Sequence, residues 1–423
     1  MKRLVALSVT GVLLMALVGC GAEAPASESA KLDVVHVPAD ASLTEAGERV
    51  ADGGIILISD GTYTESLEVT ADDVTVRGED RNGVVIDGEL KRSNGVVGTG
   101  ERITVENLTV RNHLQNGVLI TGVTDENGAG VARGPDGYLP EEAPDPVPGY
   151  LVQAVTASNN GLYGIYAFNR TDGIIRDNVA TGGSDSGIYV GQCAECRAIV
   201  QDNVITANAA GLELANASHV AVTGNRIVGN RIGASILSNY LEAHGPTVGV
   251  QIVGNVIASN NEVETPEQAS GAFGVGIGLG GTTDAEVRAN LISANQEVGL
   301  WITSSEDFAP TGTRVSGNAF DGNGLDVAFV PAATAVGSDN CFEFAAPVIT
   351  QPTGLTGCAS APGAFVQTPA PSGILFSQVP LPTEWPGLDD VDETPRTLPD
   401  RIEMPDLSSV SVPAADLLEE PGA

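Results

Sequence analysis

Residues 203–215 read Asn-Val-Ile-Thr-Ala-Asn-Ala-Ala-Gly-Leu-Glu-Leu-Ala, and their layout recurs along most of the chain. Two asparagines stand five positions apart, and a glycine then opens a run of alternating apolar residues. The first asparagine position is filled by Asn107, Asn178, Asn203, Asn225, Asn255, Asn290 and Asn318. The second is filled by Asn112, Asn159, Asn208, Asn230, Asn260, Asn295 and Asn323. The glycines are Gly117, Gly164, Gly187, Gly211, Gly233, Gly276, Gly299 and Gly324, at intervals of 47, 23, 24, 22, 43, 23 and 25 residues. The two near-double intervals hold Gly-, Pro- and acid-rich insertions, near 122–150 and 239–273. Alternation with period 2 and β-branched residues bounded by Asn and Gly predicts short strands and turns, not helices. A coil of this length cannot bury its own apolar face, but it can when stacked on its neighbours. Asn tolerates left-handed backbone and bonds locally, and identical Asn in successive coils can stack as a ladder. The asparagines are therefore read as architecture, not as catalytic groups.

This pattern resembles the right-handed parallel β-helix family with PbH1 repeats, the pectate-lyase-like group, over about residues 33–345. The resemblance implies an all-β chain: a single-stranded right-handed parallel β-helix of about ten coils with an N-terminal capping helix. The opening fits, with a helix expected over Ser42 to Asp52 and strands at Ile55–Ile58, Leu67–Val69, Val74–Val76 and Val84–Ile86. More narrowly, Gly161-Leu-Tyr-Gly-Ile-Tyr-Ala167 and Asp185-Ser-Gly-Ile-Tyr-Val-Gly-Gln-Cys193 resemble a bacterial lipoprotein subgroup of such proteins.

The chain start reads as an address. Lys2 and Arg3 precede an apolar run from Leu4 to Val18 that ends in Leu17-Val18-Gly19-Cys20. This resembles a bacterial lipoprotein signal, which implies cleavage after residue 19 and acylation of Cys20. Acyl chains at about 0.8 kcal/mol per CH₂ hold such a protein on a membrane. The expected organisation is a signal peptide over 1–19, lipidated Cys20 and a small polar tether over 20–32, the β-helix over 33–358 and a tail over 359–423. The expected location is extracytoplasmic. There, the four other cysteines are expected to pair as Cys193–Cys196 and Cys341–Cys358. A four-Cys zinc site and a redox C-x-x-C are the lesser alternatives, since about 145 residues separate the pairs and no histidine flanks them.

Composition excludes one partner class. The chain has 423 residues, 20 Lys+Arg against 54 Asp+Glu and a formal net charge of −34. No stretch supplies the basic patch that a phosphate backbone needs, so nucleic acid is excluded. A hydrophobic fraction of 42% with 17% charged residues fits a folded chain. A monomer is expected.

Alternation after each glycine decides which side chains face out. Ile165, Ile188, Leu212, Ala234, Leu300 and Leu325 point inward with the residues two further on, and the residue between points out. That outward column reads Leu119, Tyr166, Tyr189, Glu213, Ser235, Gly278, Trp301 and Asp326. Tyr166, Tyr189 and Glu213 should form one exposed strip, joined by Phe168 and by Asn169, Gln192 and Asn216 in the following turn. Flat aromatic faces with amides and a carboxylate suit sugar rings, so a polysaccharide or envelope glycan is the expected ligand. The opposing reading is that the 122–150 insertion packs over the tyrosines.

Catalysis finds weaker support. The clustered aspartates, Gly-His-Gly and Arg-x-Lys of β-helix hydrolases are absent, as is the Asp-Pro-His-Asp of uronan epimerases. None of His36, His113, His219 and His244 forms a metal pattern. If chemistry occurs, Asp185 or Glu213 would be base or Ca²⁺ ligand, Arg231 charge neutraliser and Tyr189 proton donor. No cofactor is expected; Ca²⁺ is conceivable at Asp125, Glu126, Asp136, Glu141, Glu142 and Asp145, where solvated charge is the favoured reading. Three functions are open: carbohydrate binding along the aromatic face, a lyase or epimerase-type enzyme at that face, or a structural or protein-interaction rod. The tail holds eleven of the 24 prolines, so it cannot pair as a ladder, and its scattered large apolar residues favour partial docking along the rod.

Overall fold

The computed structural model describes residues 31–125, 130, 143–358 and 361–419. The signal peptide, Cys20 and most of the tether lie outside the described residues. The chain from Lys31 is one compact unit, and its architecture is the expected right-handed parallel β-helix. Parallel strands form a twenty-stranded sheet and an eleven-stranded sheet. A typical coil lays one strand on the narrow sheet, such as Ala210–Ala217, and two on the broad sheet, such as Val220–Thr223 and Arg226–Val228. Register is in step through the middle of the broad sheet: Val200 pairs with Val222, Val222 with Ile252, and Ile252 with Val287. Those residues and Ile188, Leu212, Ala234, Ile277 and Leu300 of the narrow sheet are buried in one continuous core. Each such side chain contributes about 1.5–3 kcal/mol on burial.

The opening helix is Leu43–Arg49, shorter than expected because Val50 already starts the strand Val50–Ile58. Ser42 caps it, and Glu45 closes a reciprocal capping box. Leu43 and Ala46 enter the core, and a Cβ at Gly47 would lie 1.8 Å from the Glu68 carbonyl oxygen, so only glycine allows this approach.

Asparagine ladders run through the stack. Asn178 donates through Nδ2 to Asn203 Oδ1 at 2.9 Å, Asn203 to Asn225 at 2.9 Å and Asn225 to Asn255 at 3.0 Å. Asn255 continues to Asn290 and Asn290 to Asn318. A second ladder joins Asn208, Asn230, Asn260, Asn295 and Asn323. Three expected members fall one place early. Asn107, Asn112 and Asn159 have φ near +59, +59 and +52 and occupy the left-handed turn position instead. In the second ladder's position His113 and Asn160 stand, and the His113 N–H donates to Asn160 Oδ1. Early coils thus keep the bend and change its rung.

Both disulfides form as expected, Cys193–Cys196 and Cys341–Cys358. The tail is docked along the rod from Gly363, which donates to the Phe329 carbonyl, to Glu419, which pairs with Arg226. Its apolar anchors Val379, Ile402 and Leu407 are buried.

Two outcomes test this account. Asn225→Ala removes a rung whose amide serves both neighbours, and should cost about 3 kcal/mol in chemical denaturation, since unsatisfied buried groups cost about 1–3 kcal/mol each. His113 is fully buried with neither ring nitrogen hydrogen-bonded, and burial lowers its pKa to about 4. Its neutral ring therefore favours folding fully above about pH 6.5, and that contribution is lost as pH falls toward 4, up to about 3 kcal/mol. His113→Asn, the residue of later rungs, should flatten stability over that window in denaturation series against pH.

Candidate functional site

The narrow sheet carries the outward column. Pairing runs Leu119–Tyr166–Tyr189–Glu213–Ser235–Gly278–Trp301 in unbroken register. The column then continues to Ala328, not to Asp326. The last coil slips by two residues, so the Asp326 carbonyl rather than Gly324 lies against Gly299, and Asp326 Oδ2 accepts from the Ile349 N–H at 2.8 Å.

The expected exposed strip is buried. Tyr166 is 2% exposed, Tyr189 1% and Phe168 0%. They pack with Tyr163, Leu119, Val97, Val123 and Ala215 in a cluster separate from the coil interior. Tyr163 stacks on Tyr166 at 4.2 Å between ring centroids, and Tyr166 meets Tyr189 edge-on at 4.4 Å. Part of the cover comes from the second insertion. Tyr189 Oη donates to Glu242 at 2.5 Å, and Asn216 Nδ2 donates to the carbonyls of Asn239 and Glu242. The Ala243 N–H donates to Gln192. The end of the first insertion takes Asn169, whose amide reaches the Pro144 carbonyl at 3.3 Å. Asn169, Gln192 and Asn216 are buried at φ near +54, +56 and +46. They form the left-handed corner of successive coils, a place where amides satisfy backbone.

Asp185, Glu213 and Tyr189 do converge, with two residues that sequence reasoning missed. Tyr163 Oη donates to Asp185 Oδ2 at 3.0 Å. Burial, then the charges of Glu213 and Asp185, push the Tyr163 phenol well above its ordinary range. Burial and Glu242 do the same for Tyr189. Both phenols therefore stay protonated and act as donors to carboxylates. Tyr163 was legible: Gly164 breaks the alternation, so residues 163 and 166 face out together. Glu242 carried no signal, since it comes from an insertion. Arg231 does not join this cluster. Its guanidinium lies over the Phe273 ring at 5.2 Å and donates to the Pro371 carbonyl, so it is not the neutraliser of Glu213.

Beyond Glu213 the column opens. Ser235, Gly278 and Trp301 line a groove of about 170 Å³ with Thr303, Gln268 and Ser270. A Cβ at Gly278 would meet only the Ala234 carbonyl oxygen, at 3.9 Å, so the floor is clear. Trp301 is partly buried, with Phe365 edge-on at 5.2 Å. Its indole N–H is shielded from water and has no acceptor. An aromatic ring beside hydroxyls and an amide fits one ring-sized polar ligand. The volume falls below the ~300–1,000 Å³ of an enclosed small-molecule site, which suits one unit of a longer chain. Trp301 was already in the predicted column; the signal for choosing it was that it is the sole aromatic past Tyr189 there. A larger depression of about 670 Å³ near Thr44, Glu68 and Arg92 has no aromatic among the described residues of its lining.

Among the described residues no cluster of three His, Cys, Asp or Glu can hold a metal. Glu126, Asp136, Glu141 and Glu142 of the Ca²⁺ reading lie outside the described residues.

Tyr166→Ala should cost about 3–5 kcal/mol, as for other buried aromatics, and Tyr189→Phe about 1.5–3 kcal/mol from the lost hydrogen bond to the Glu242 carboxylate. Thermal unfolding of both variants checks this, and small losses would mean that the cluster is open to water.

Residues 149–345 match a family model described as a right handed beta helix region. No curated protein matches the chain. Solved structures with a similar backbone path include the Azotobacter vinelandii mannuronan C-5 epimerase AlgE4 A-module, 14% identical over 76% of this chain and 91% of that one, TM-score 0.48. The periplasmic alginate epimerase AlgG is 14% identical over 73% and 82%, TM-score 0.41. Pectate lyase Pel9A is 11% identical over 79% and 96%, TM-score 0.41.

Proposed function

We propose that this protein is an extracytoplasmic β-helix that binds carbohydrate in the Ser235–Gly278–Trp301 groove, held at a membrane through lipidated Cys20. The observation that supports this reading is the groove itself, a clear glycine floor beside a partly exposed indole ring. A sugar ring can stack against the exposed part of the indole, and its hydroxyls can bond Ser235, Thr303 and Gln268. The ligand site thus sits farther along the same column than Tyr166 and Tyr189, whose faces are occupied by one another. The net charge of −34 favours a neutral glycan, or an acidic one bridged by a divalent cation.

A second reading, a glycan-acting enzyme, draws on one observation. Asp185, Glu213 and Glu242 lie around the tyrosine cluster, and Glu213 pairs in register with Ser235 at the groove's near end. Under it Glu213 would act on the glycan bound in the groove, and Glu213→Gln would abolish turnover while leaving binding in place.

The test is binding of the purified mature protein to neutral and acidic glycans, with and without Ca²⁺. Trp301→Ala should weaken binding at least about tenfold, equivalent to about 1.4 kcal/mol, and Gly278→Val should block it by filling the floor. Unchanged binding in both variants overturns the assignment.

A further inference from the structure

The outward face of the broad sheet is covered by the C-terminal segment, and the manner of its seating is informative. The rod reads the segment's backbone in both senses. Arg81 Nη1 donates to the Pro386 carbonyl at 2.9 Å and Arg77 Nη1 to the Asp392 carbonyl at 2.6 Å. Arg288 donates to the carbonyls of Leu407 and Val410, and Arg226 to those of Ala415 and Leu417. In the opposite sense, Asn107 Oδ1 accepts the Leu388 N–H at 2.8 Å and Thr75 Oγ1 the Arg396 N–H at 2.7 Å. Asp172 Oδ1 accepts the Ile402 N–H at 3.2 Å.

The side chains of the segment add two further contacts. Leu407 sinks against Ala221 and Val253, with Met404 and Val410 beside it. Acids of the segment meet rod cations: Asp392 pairs with Arg77 at 3.1 Å and Glu419 with Arg226 at 3.0 Å. Arg396 reaches Glu106, a fully buried carboxylate that also accepts from Arg77 and Gln153.

These contacts differ from ordinary packing. A proline-rich extended chain has free carbonyls and no ladder of its own. Most partners here are side chains of the rod fixed by the strand register, and they address backbone groups that any extended peptide presents. Main-chain bonds with pockets for occasional side chains are the recurring means of recognising an extended peptide. We infer that the outward face of the broad sheet is a binding track for an extended, proline-rich, acidic peptide, occupied by this chain's own residues 385–419.

The test uses the full chain with a protease-cleavable linker inserted after Leu381, which is 54% exposed. After cleavage, the fragment should remain with the rod in gel filtration at micromolar concentration. A labelled synthetic peptide of residues 382–419 should then replace it, with the far-UV circular dichroism of the rod unchanged. Arg226→Ala and Arg288→Ala, both away from the buried Arg77–Glu106 pair, should each weaken peptide binding at least tenfold. A fragment that leaves at once from a folded rod overturns the inference. So does a fragment that leaves only when the rod unfolds, because the segment is then part of the core fold. Failure of glycan binding at Trp301 does not bear on this result, which concerns the other sheet.

Discussion

Stacking in exact parallel register is the constraint on which the rest of the molecule depends. A coil has enough apolar residues to line one side of itself and no layer to lay over them. It is stable only when the next coil repeats its strand breaks at the same positions. The bends are the weak points, because a turning backbone cannot meet its neighbour strand to strand. Asparagine resolves this. The Asn203 N–H and Nδ2 both reach Asn225 Oδ1, while the same Nδ2 reaches back to the Ile175 carbonyl. Each rung thereby satisfies buried backbone above and below, and one missing rung leaves polar atoms of two coils without partners.

A stack so built presents its outward residues as rows about 4.8 Å apart. Such a row of large apolar or charged groups must be covered or used. On the narrow sheet the rings of Tyr163, Tyr166 and Tyr189 cover one another under a lid that includes Glu242. On the broad sheet the C-terminal segment lies over Ala221 and Val253 and over Arg77, Arg81, Arg226 and Arg288. What stays open is the Ser235–Gly278–Trp301 stretch, where small residues leave space next to one indole. The location of the open groove follows from where the covers stop.

The charge distribution follows the same plan. The chain is strongly acidic, yet its arginines are mostly spoken for. Arg77 holds Glu106, Arg102 holds Asp73, Arg197 holds Asp172, and Arg226 and Arg288 hold the C-terminal segment. The groove beside Trp301 therefore offers hydroxyls, an amide and a ring.

Repeat spacing, alternation and the run of β-branched residues determined the fold from sequence alone, because a parallel stack forces every coil to repeat the same local pattern. The order of the outward column from Leu119 to Trp301 was legible for the same reason, as were both disulfides. The offsets at Asn107, Asn112 and Asn159 were not, since adjacent asparagine and histidine positions are equivalent until register selects one. The slip that sets Trp301 beside Ala328 has the same origin. Tertiary structure alone decided which outward residues see water. Glu242 meets Tyr189 from 53 residues away, and Leu407 meets Ala221 from the far end of the chain. Insertions and a proline-rich tail carry no periodicity, so where they land depends on surfaces that exist only after the coils have stacked.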